Sequence, residues 1–128
     1  MAEPGSFEAR AELEAGDTLL APELLVAEVG SAAWKKLRRG EITAEHAHDL
    51  LVALPGMLDV LEPMARLAPR ALQIAASLDH PVYDCFYLAL CESATARLVT
   101  DDRRLLERVR GTEWEARIDA LRATSGEA

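Results

Sequence analysis

Three acidic side chains lie in stretches of the sequence where a carboxylate needs an explanation. Asp84 is the one charged residue of HPVYDCFYLALC, and none of its helix neighbours three or four positions away is Lys or Arg. Glu28 interrupts the apolar face of PELLVAEVGSAA in the same way, and Asp102 comes, with Asp101, right after the predicted strand RLVT. A buried carboxylate must be paired, hydrogen-bonded or metal-bound to keep its charge. Each of the three is therefore a candidate functional residue.

Each acid also has a structural explanation. Asp84 near a helix N-terminus is favoured by free backbone amides and by the helix dipole. Glu28 at the edge of an apolar stripe can reach water with its carboxylate, and Asp102 at the start of a helix is a common N-cap. Capping and metal binding are compatible, because a carboxylate has two oxygens. The residue types alone leave both explanations open.

Gathered at one place, the three carboxylates would repel one another unless a cation lay among them. Ligation by oxygen alone suits Mg²⁺ or Mn²⁺, which keep several water ligands and often contact phosphate. Such ions activate a water and stabilise the leaving oxygen in phosphodiester cleavage. This chemistry requires elements that bring the three acids to one edge of the fold.

Hydrophobic spacing and turn-forming residues predict an alternation of strands and helices. Short apolar strands that alternate with helices indicate a parallel sheet covered on both faces, an α/β fold in one domain over residues 1–128. Ligands bind such sheets beyond the carboxyl ends of the strands, where we expect the acids to meet. The tail 113–121 is ambiguous between strand and helix. The predicted helices cover 6–15, 22–39, 43–54, 64–78, 81–95 and 102–110, and the predicted strands 18–21, 58–63 and 97–100.

Composition narrows the function classes. The net charge of −8 argues against tight non-specific binding of nucleic acid by the whole surface, although WKKLRRG and DRRLLERVR are locally basic. Cys85 and Cys91, six positions apart, diverge on a helix and are expected to be small buried side chains. With no long apolar run and a polar N-terminus, we expect a cytoplasmic protein without a membrane span.

Three motifs in order carry a resemblance to a known family. PELLVAEVGSAAWKKLRRGEIT, HPVYDCFYLALCE and RLVTDDRRLL resemble the PIN-domain proteins, specifically VapC-type toxin ribonucleases, from Glu3 to about Gly111. The resemblance implies a three-layer α/β/α fold with a parallel sheet and cleavage of RNA with Mg²⁺ or Mn²⁺. Matched by motif, Glu28, Asp84 and Asp102 are the catalytic acids that hold the metal.

The resemblance also implies supporting residues and partners. Thr100 matches a hydroxyl residue of the family's T-x-D motif, and Asp101 falls at its variable position. Arg103 and Arg104 are candidates for contacts to RNA phosphate, or else belong to a solvated helix face. The implied partners are the RNA substrate, a cognate antitoxin and a second copy in a homodimer. The basic residues of WKKLRRG are candidates for antitoxin contacts, or else match the dipole at their helix end.

One part of the family pattern has no counterpart. The family begins with a central strand reading hydrophobic-hydrophobic-Asp-Ala-Ser, whereas this sequence opens with MAEPGSFEAR. Glu3 and Glu8 fall in the wrong segment to replace that Asp, so we expect an unfilled central position and one acid fewer. Three explanations stay open: a start upstream of Met1, an inactive toxin, or another segment, from this or a second copy, in the gap.

Three functions therefore compete. The first is a metal-dependent endoribonuclease toxin of a toxin–antitoxin pair. The second is a truncated or inactive PIN-domain remnant that only binds antitoxin or dimerises, which the absent Asp favours. The third is a different small α/β domain whose acids are caps and surface residues. Metal binding separates the first two, and the metal response of Asp84→Asn separates the first from the third.

Overall fold

The alternation of apolar runs and turn residues produces short strands joined by amphipathic helices. The structure, a computed structural model, describes residues 12–15 and 18–120. Its strands are β1 (Glu12–Ala15), β2 (Thr18–Pro22), β3 (Val60–Glu62), β4 (Arg97–Thr100) and β5 (Ile118–Ala120). Its helices are α1 (Leu24–Arg38), α2 (Ala44–Ala53), α3 (Met64–Leu78), α4 (Val82–Ala94) and α5 (Arg103–Val109), with 3₁₀ helices at Leu54–Met57 and Glu115–Arg117.

The strands form one sheet in the order β3-β2-β1-β4-β5. β2 pairs with β3 and β4 with β5 in parallel, whereas the central strand β1 is antiparallel to both of its neighbours. The four outer strands therefore point the same way, and their carboxyl ends lie along one edge. This confirms the α/β class, with one antiparallel strand inside the parallel sheet.

The helix predicted over 6–15 is wrong in the part that the structure describes, which is the central strand. Residues 12–15 are a strand, and the rest of that predicted helix lies outside the described residues. Two residues separate β1 from β2, and so short a connection permits antiparallel pairing only, since a parallel crossover needs a dozen or more residues. β1 pairs through Leu13 with Leu20 on one side and Leu98 on the other. The centre of the sheet is thus filled by a segment of this chain, which pairs backbone groups of both neighbours.

Hydrophobic clusters cover both faces of the sheet. Leu20 belongs to the larger cluster, built with α3, α4, α5 and Ile118, and the adjacent Ala21 belongs to the smaller cluster with Leu25 and Val29 of α1. Successive side chains of a strand point to opposite faces, so the two clusters are on opposite sides. The helices therefore form two layers around the sheet, as the three-layer fold requires.

Helix α4 is the most buried helix among residues 18–120. Its residues from Cys85 to Cys91 are all buried, as expected of a helix that is apolar nearly all round. Burying one large apolar side chain contributes about 1.5–3 kcal/mol, so this helix is a main source of stability. Burial raises the pKa of Cys85 to about 11 and that of Cys91 to about 12, and both thiols are free. The expectation of buried cysteines is confirmed.

Most other predicted elements agree with the structure within a few residues. Thr43 caps α2 by accepting a hydrogen bond from the His46 amide at 3.0 Å, and β4 has the predicted bounds. The strand expected over 58–63 is shorter, Val60–Glu62, and the ambiguous tail is a 3₁₀ turn followed by β5. Among the helices of the described chain, none has the length and apolar character needed to span a membrane.

Candidate functional site

A pocket of about 170 Å³ lies where β4 ends and where α1, α4 and α5 converge. It lies at the carboxyl end of β4, the position at which α/β sheets bind ligands. The three predicted acids lie on three different helices or their caps, and all of them line this pocket. Its lining residues are Glu28, Asp84, Tyr87, Leu98, Thr100, Asp101, Asp102 and Leu105.

Asp84 lies in the first turn of α4, and its side chain is 30% exposed. Its Oδ2 is 2.7 Å from Nε2 of His80, whose side chain is almost completely buried. His80 is placed there by the end of α3, where Asp79 adopts a left-handed conformation and the His80 amide bonds back to the Ala75 carbonyl at 3.2 Å. The contact was not predicted, although the four-residue spacing in HPVYD is the one that brings side chains together on a helix.

Glu28 projects from α1 and is half-buried. Its Oε1 accepts a hydrogen bond of 2.5 Å from the hydroxyl of Tyr87, a residue that is only 2% exposed. Tyr87 lies one turn after Asp84 on α4, so a single helix supplies one acid of the pocket and the phenol that contacts another. Tyr87 is a site residue that the sequence analysis missed, because its partner is 59 positions away in the chain.

Asp102 caps helix α5, as its structural explanation predicted. Its Oδ1 accepts hydrogen bonds from the backbone amides of Arg104 and Leu105 at 3.0 and 3.1 Å. The amide of Asp102 itself donates to Oγ1 of the buried Thr100 at 3.1 Å, which fixes the turn between β4 and α5. Asp102 is thus both a cap and a pocket residue. Asp101, assigned to a variable position, is exposed and lines the same pocket.

The basic residues suggested by the sequence lie outside this pocket. Arg104 lines a neighbouring cleft, and Arg103 is exposed on α5. At the end of α1, Lys36 and Arg39 form ion pairs with Glu41, and Arg38 lies over the ring of Trp34. These contacts support the structural explanation for the basic end of α1.

The donor set of the pocket suits a hard divalent cation. It offers carboxylate and hydroxyl oxygens, which Mg²⁺ and Mn²⁺ prefer. In the part of the chain that the structure describes, no three Asp, Glu, His or Cys side chains are close enough to surround an ion by themselves. Mg²⁺ is commonly bound through one or two carboxylates and several waters, and the pocket residues fit that mode.

The central strand of the sheet distinguishes this chain from the family pattern described above. The centre of the sheet, where the family places its first Asp, reads ELEA. The remaining acids follow the order of the motifs, from α1 to α4 to the start of α5, and all line one pocket. Three motifs in sequence order thus give one site in space.

Comparison with known proteins agrees with the motifs. The sequence matches the PIN domain family over residues 2–111, most of the chain. This chain belongs to the PIN domain family. Its matched range includes all three acids of the pocket and ends just after α5.

The curated relatives place it among the VapC-type PIN proteins. Ribonuclease VapC1 of Mycobacterium tuberculosis, found in two strains, is 39% identical over 87 residues, which are 66% of this chain and 63% of the relative. Ribonuclease VapC3 of Pyrobaculum aerophilum is 32% identical over 88 residues, 67% of each chain. The match thus spans somewhat less than two thirds of the length of the mycobacterial relatives.

Proposed function

We propose that this PIN-domain chain is the ribonuclease toxin of a toxin–antitoxin pair. It would cleave RNA phosphodiester bonds with Mg²⁺ or Mn²⁺ held by Glu28, Asp84 and Asp102. The observation that carries the proposal is that these acids, distant in sequence, line one pocket at the carboxyl edge of the sheet. The ribonuclease names of the curated relatives support the same activity.

The chain's own residues would orient the acids. The metal, when bound, would supply an activated water and stabilise the leaving oxygen. Tyr87 holds one oxygen of Glu28, and His80 holds one oxygen of Asp84. Backbone amides hold Oδ1 of Asp102. Each acid is thereby fixed by a donor that is distinct from the proposed metal.

The family assignment suggests the surroundings in which the chain works. We propose a cytoplasmic toxin whose partners are its RNA substrate, a cognate antitoxin and a second copy of itself. Acidic segments of the antitoxin would meet the basic residues of WKKLRRG at the end of α1, because opposite charges favour association. The proposal assigns no particular RNA target.

A second function is favoured by the centre of the sheet. The strand at the family's position for its first Asp reads ELEA and runs antiparallel to its neighbours. A pocket without that Asp would hold a metal more weakly. The second proposal is therefore a PIN-domain module that binds antitoxin or dimerises without cutting RNA.

Cleavage of mixed cellular RNA separates the two proposals. The chain is incubated with and without Mg²⁺ or Mn²⁺ beside two variants of helix α4, Asp84→Asn and Glu92→Gln. Glu92 is a matched control because it lies on the same helix but is bound by Arg70 at 2.7 Å. Metal-dependent cleavage that is lost in Asp84→Asn and retained in Glu92→Gln supports the nuclease. A folded wild-type chain that cuts no RNA with either metal supports the binding module.

A further inference from the structure

A second cleft, of about 400 Å³, adjoins the acidic pocket. The boundary between them is the imidazole of His80, which lines the cleft and contacts Asp84 of the pocket at 2.7 Å. The cleft therefore begins one side chain away from a proposed metal ligand. Its lining residues are Asp79, His80, Pro81, Arg104, Glu107 and Arg108.

Helix α5 presents different residues to the two cavities. Leu105 and the cap Asp102 line the pocket, while Arg104 and Arg108 line the cleft. The two arginines are four positions apart and therefore neighbours on one face of the helix. Both are exposed, so a ligand in the cleft can reach them.

Among the described side chains, the two arginines of the cleft lack the close carboxylate partner that several other arginines have. Arg66, Arg70 and Arg97 are each within 2.8 Å of a carboxylate oxygen. Among the side chains of residues 18–120, by contrast, no carboxylate lies within ion-pair distance of Arg104 or Arg108. Their guanidinium groups are therefore available to bind an anion.

The chemistry of the cleft selects the kind of anion. A guanidinium presents a planar fork of donors that matches phosphate oxygens, and two forks on one helix face can hold one phosphate. Asp79 and Glu107 also line the cleft and oppose its positive charge. An acidic peptide would bring several carboxylates close to these two acids, which would repel them. A single phosphate bound between the two arginines would avoid that repulsion.

We infer that this cleft is a subsite for a backbone phosphate of the RNA strand, next to the phosphate that is cut. Arg104 and Arg108 bind this phosphate and hold the strand in position across the acidic pocket. The inference rests on the proposed ribonuclease function, because it names how that site holds its substrate. The inference assigns phosphate binding to Arg104 together with Arg108 of the same helix, and not to the adjacent Arg103.

Binding of RNA without cleavage tests the subsite. A short fluorescent single-stranded RNA of mixed sequence is titrated with the chain in the presence of a chelator, so that no metal-dependent cutting occurs. Anisotropy gives the Kd at several salt concentrations between about 50 and 200 mM, the range over which phosphate contacts lose affinity. The variants are Arg104→Gln, Arg108→Gln, the double variant and Arg103→Gln.

The expected results separate contact from general charge. Arg104→Gln and Arg108→Gln each weaken RNA binding roughly three- to tenfold and reduce the slope of log K against log salt by about 0.7. Arg103→Gln removes the same charge from the same helix outside the cleft and changes the Kd less than about twofold. Circular dichroism checks folding, which exposed substitutions of this kind change little.

Three outcomes would overturn the subsite. The first is an equal effect of Arg103→Gln and Arg104→Gln, which would mean general attraction. The second is no effect of the double variant. The third comes from a parallel titration with fluorescent poly-glutamate: if the double variant loses poly-glutamate binding and keeps RNA binding, the cleft is a protein-docking site.

Cleavage assays on the same variants keep the two proposals distinguishable. If wild-type chain cuts RNA and the double variant cuts it with unchanged KM, the subsite is wrong and the nuclease stands. If no chain cuts RNA but binding depends on Arg104 and Arg108, the nuclease is wrong, the cleft still binds RNA phosphate, and its place beside a cut phosphate is wrong with the nuclease.

Discussion

Helix α4 carries one acid near each end, and the fold binds the two acids differently. Near its start, Asp84 is held by His80 and faces the pocket. Near its end, Glu92 is held by both arms of Arg70, with distances of 2.7 and 2.9 Å. Hydrogen bonds from Arg70 lower the pKa of Glu92, which keeps this carboxylate ionised and neutralised by the same partner.

The difference extends beyond one helix. Asp119 of β5 is bound by Arg97 through two hydrogen bonds of 2.6 and 2.9 Å, in the same forked geometry as Glu92. Asp102 is held by backbone amides, and in the described ranges neither it nor Asp84 has a Lys or Arg within ion-pair distance. Glu92 and Asp119 are each paired with an arginine, while Asp84 and Asp102, held by an imidazole and by backbone amides, face a pocket that can take a cation.

Removal of charge from Glu28 should have the largest effect on activity. Glu28→Gln keeps an oxygen that can accept the hydrogen bond from Tyr87 but removes the negative charge. We expect the rate of metal-dependent RNA cleavage to fall about 100-fold. Substitutions around a metal site typically lower activity by about 10- to 100-fold, and this is the upper end of that range. Single-turnover rates at saturating Mn²⁺ measure this, with thermal unfolding as the check on folding. Full activity in the neutral Glu28→Gln variant would show that this acid does not act as a ligand.

Removal of the Tyr87 hydroxyl should have an intermediate effect. Tyr87→Phe keeps the buried ring but removes one hydrogen bond that orients the Glu28 carboxylate, so the metal concentration for half-maximal activity should rise about tenfold. A structural role alone would lower stability and leave this metal dependence unchanged. Tyr83→Phe is the control, since Tyr83 lies on the same helix with 63% of its surface exposed. Equal metal dependence of the two variants would contradict a positioning role for Tyr87.

Removal of charge from Glu92 should have the smallest effect, and on stability alone. Since its pKa is lowered from an ordinary value near 4.5, ionised Glu92 stabilises the fold above that pH, and this contribution is lost as the pH falls through its folded pKa. Glu92→Gln should lower the free energy of unfolding at neutral pH by about 0.5 kcal/mol, because the pair is partly exposed. Denaturant titrations at neutral pH and below pH 4 test this. A difference that persists undiminished at the lower pH would contradict the assignment.

Much of this comparison could be anticipated from the sequence. The periodicity of α1, α3 and α4 predicts their faces, and the position of Asp102 after RLVT predicts its cap. The convergence of the acids follows from the rule that polar residues near the carboxyl ends of parallel strands share one edge. These features depend on local spacing and on general topology, so they can be derived from the chain alone. The assignment of the three acids to a metal site remains a prediction.

The features that the sequence analysis missed depend on distant or competing contacts. ELEA consists of good helix formers, so propensity favours a helix, but pairing with β2 and β4 prevails at the sheet centre. Gly16-Asp17 before TLLA was a usable signal, since Gly followed by Asp between two runs suits a two-residue hairpin. The bond from Tyr87 to Glu28 had no local signal, because their elements meet only after folding.

Direct metal binding tests the central claim, that the acids lining the pocket form the metal site whereas acids paired with an arginine elsewhere do not. Titration of Mn²⁺ into the folded chain by calorimetry would compare the wild type with Asp84→Asn and Glu92→Gln, two single-charge changes on one helix. The account predicts that Glu92→Gln binds Mn²⁺ as the wild type does and that Asp84→Asn binds it at least about tenfold more weakly. Equal Mn²⁺ affinity in Asp84→Asn and the wild type would contradict it.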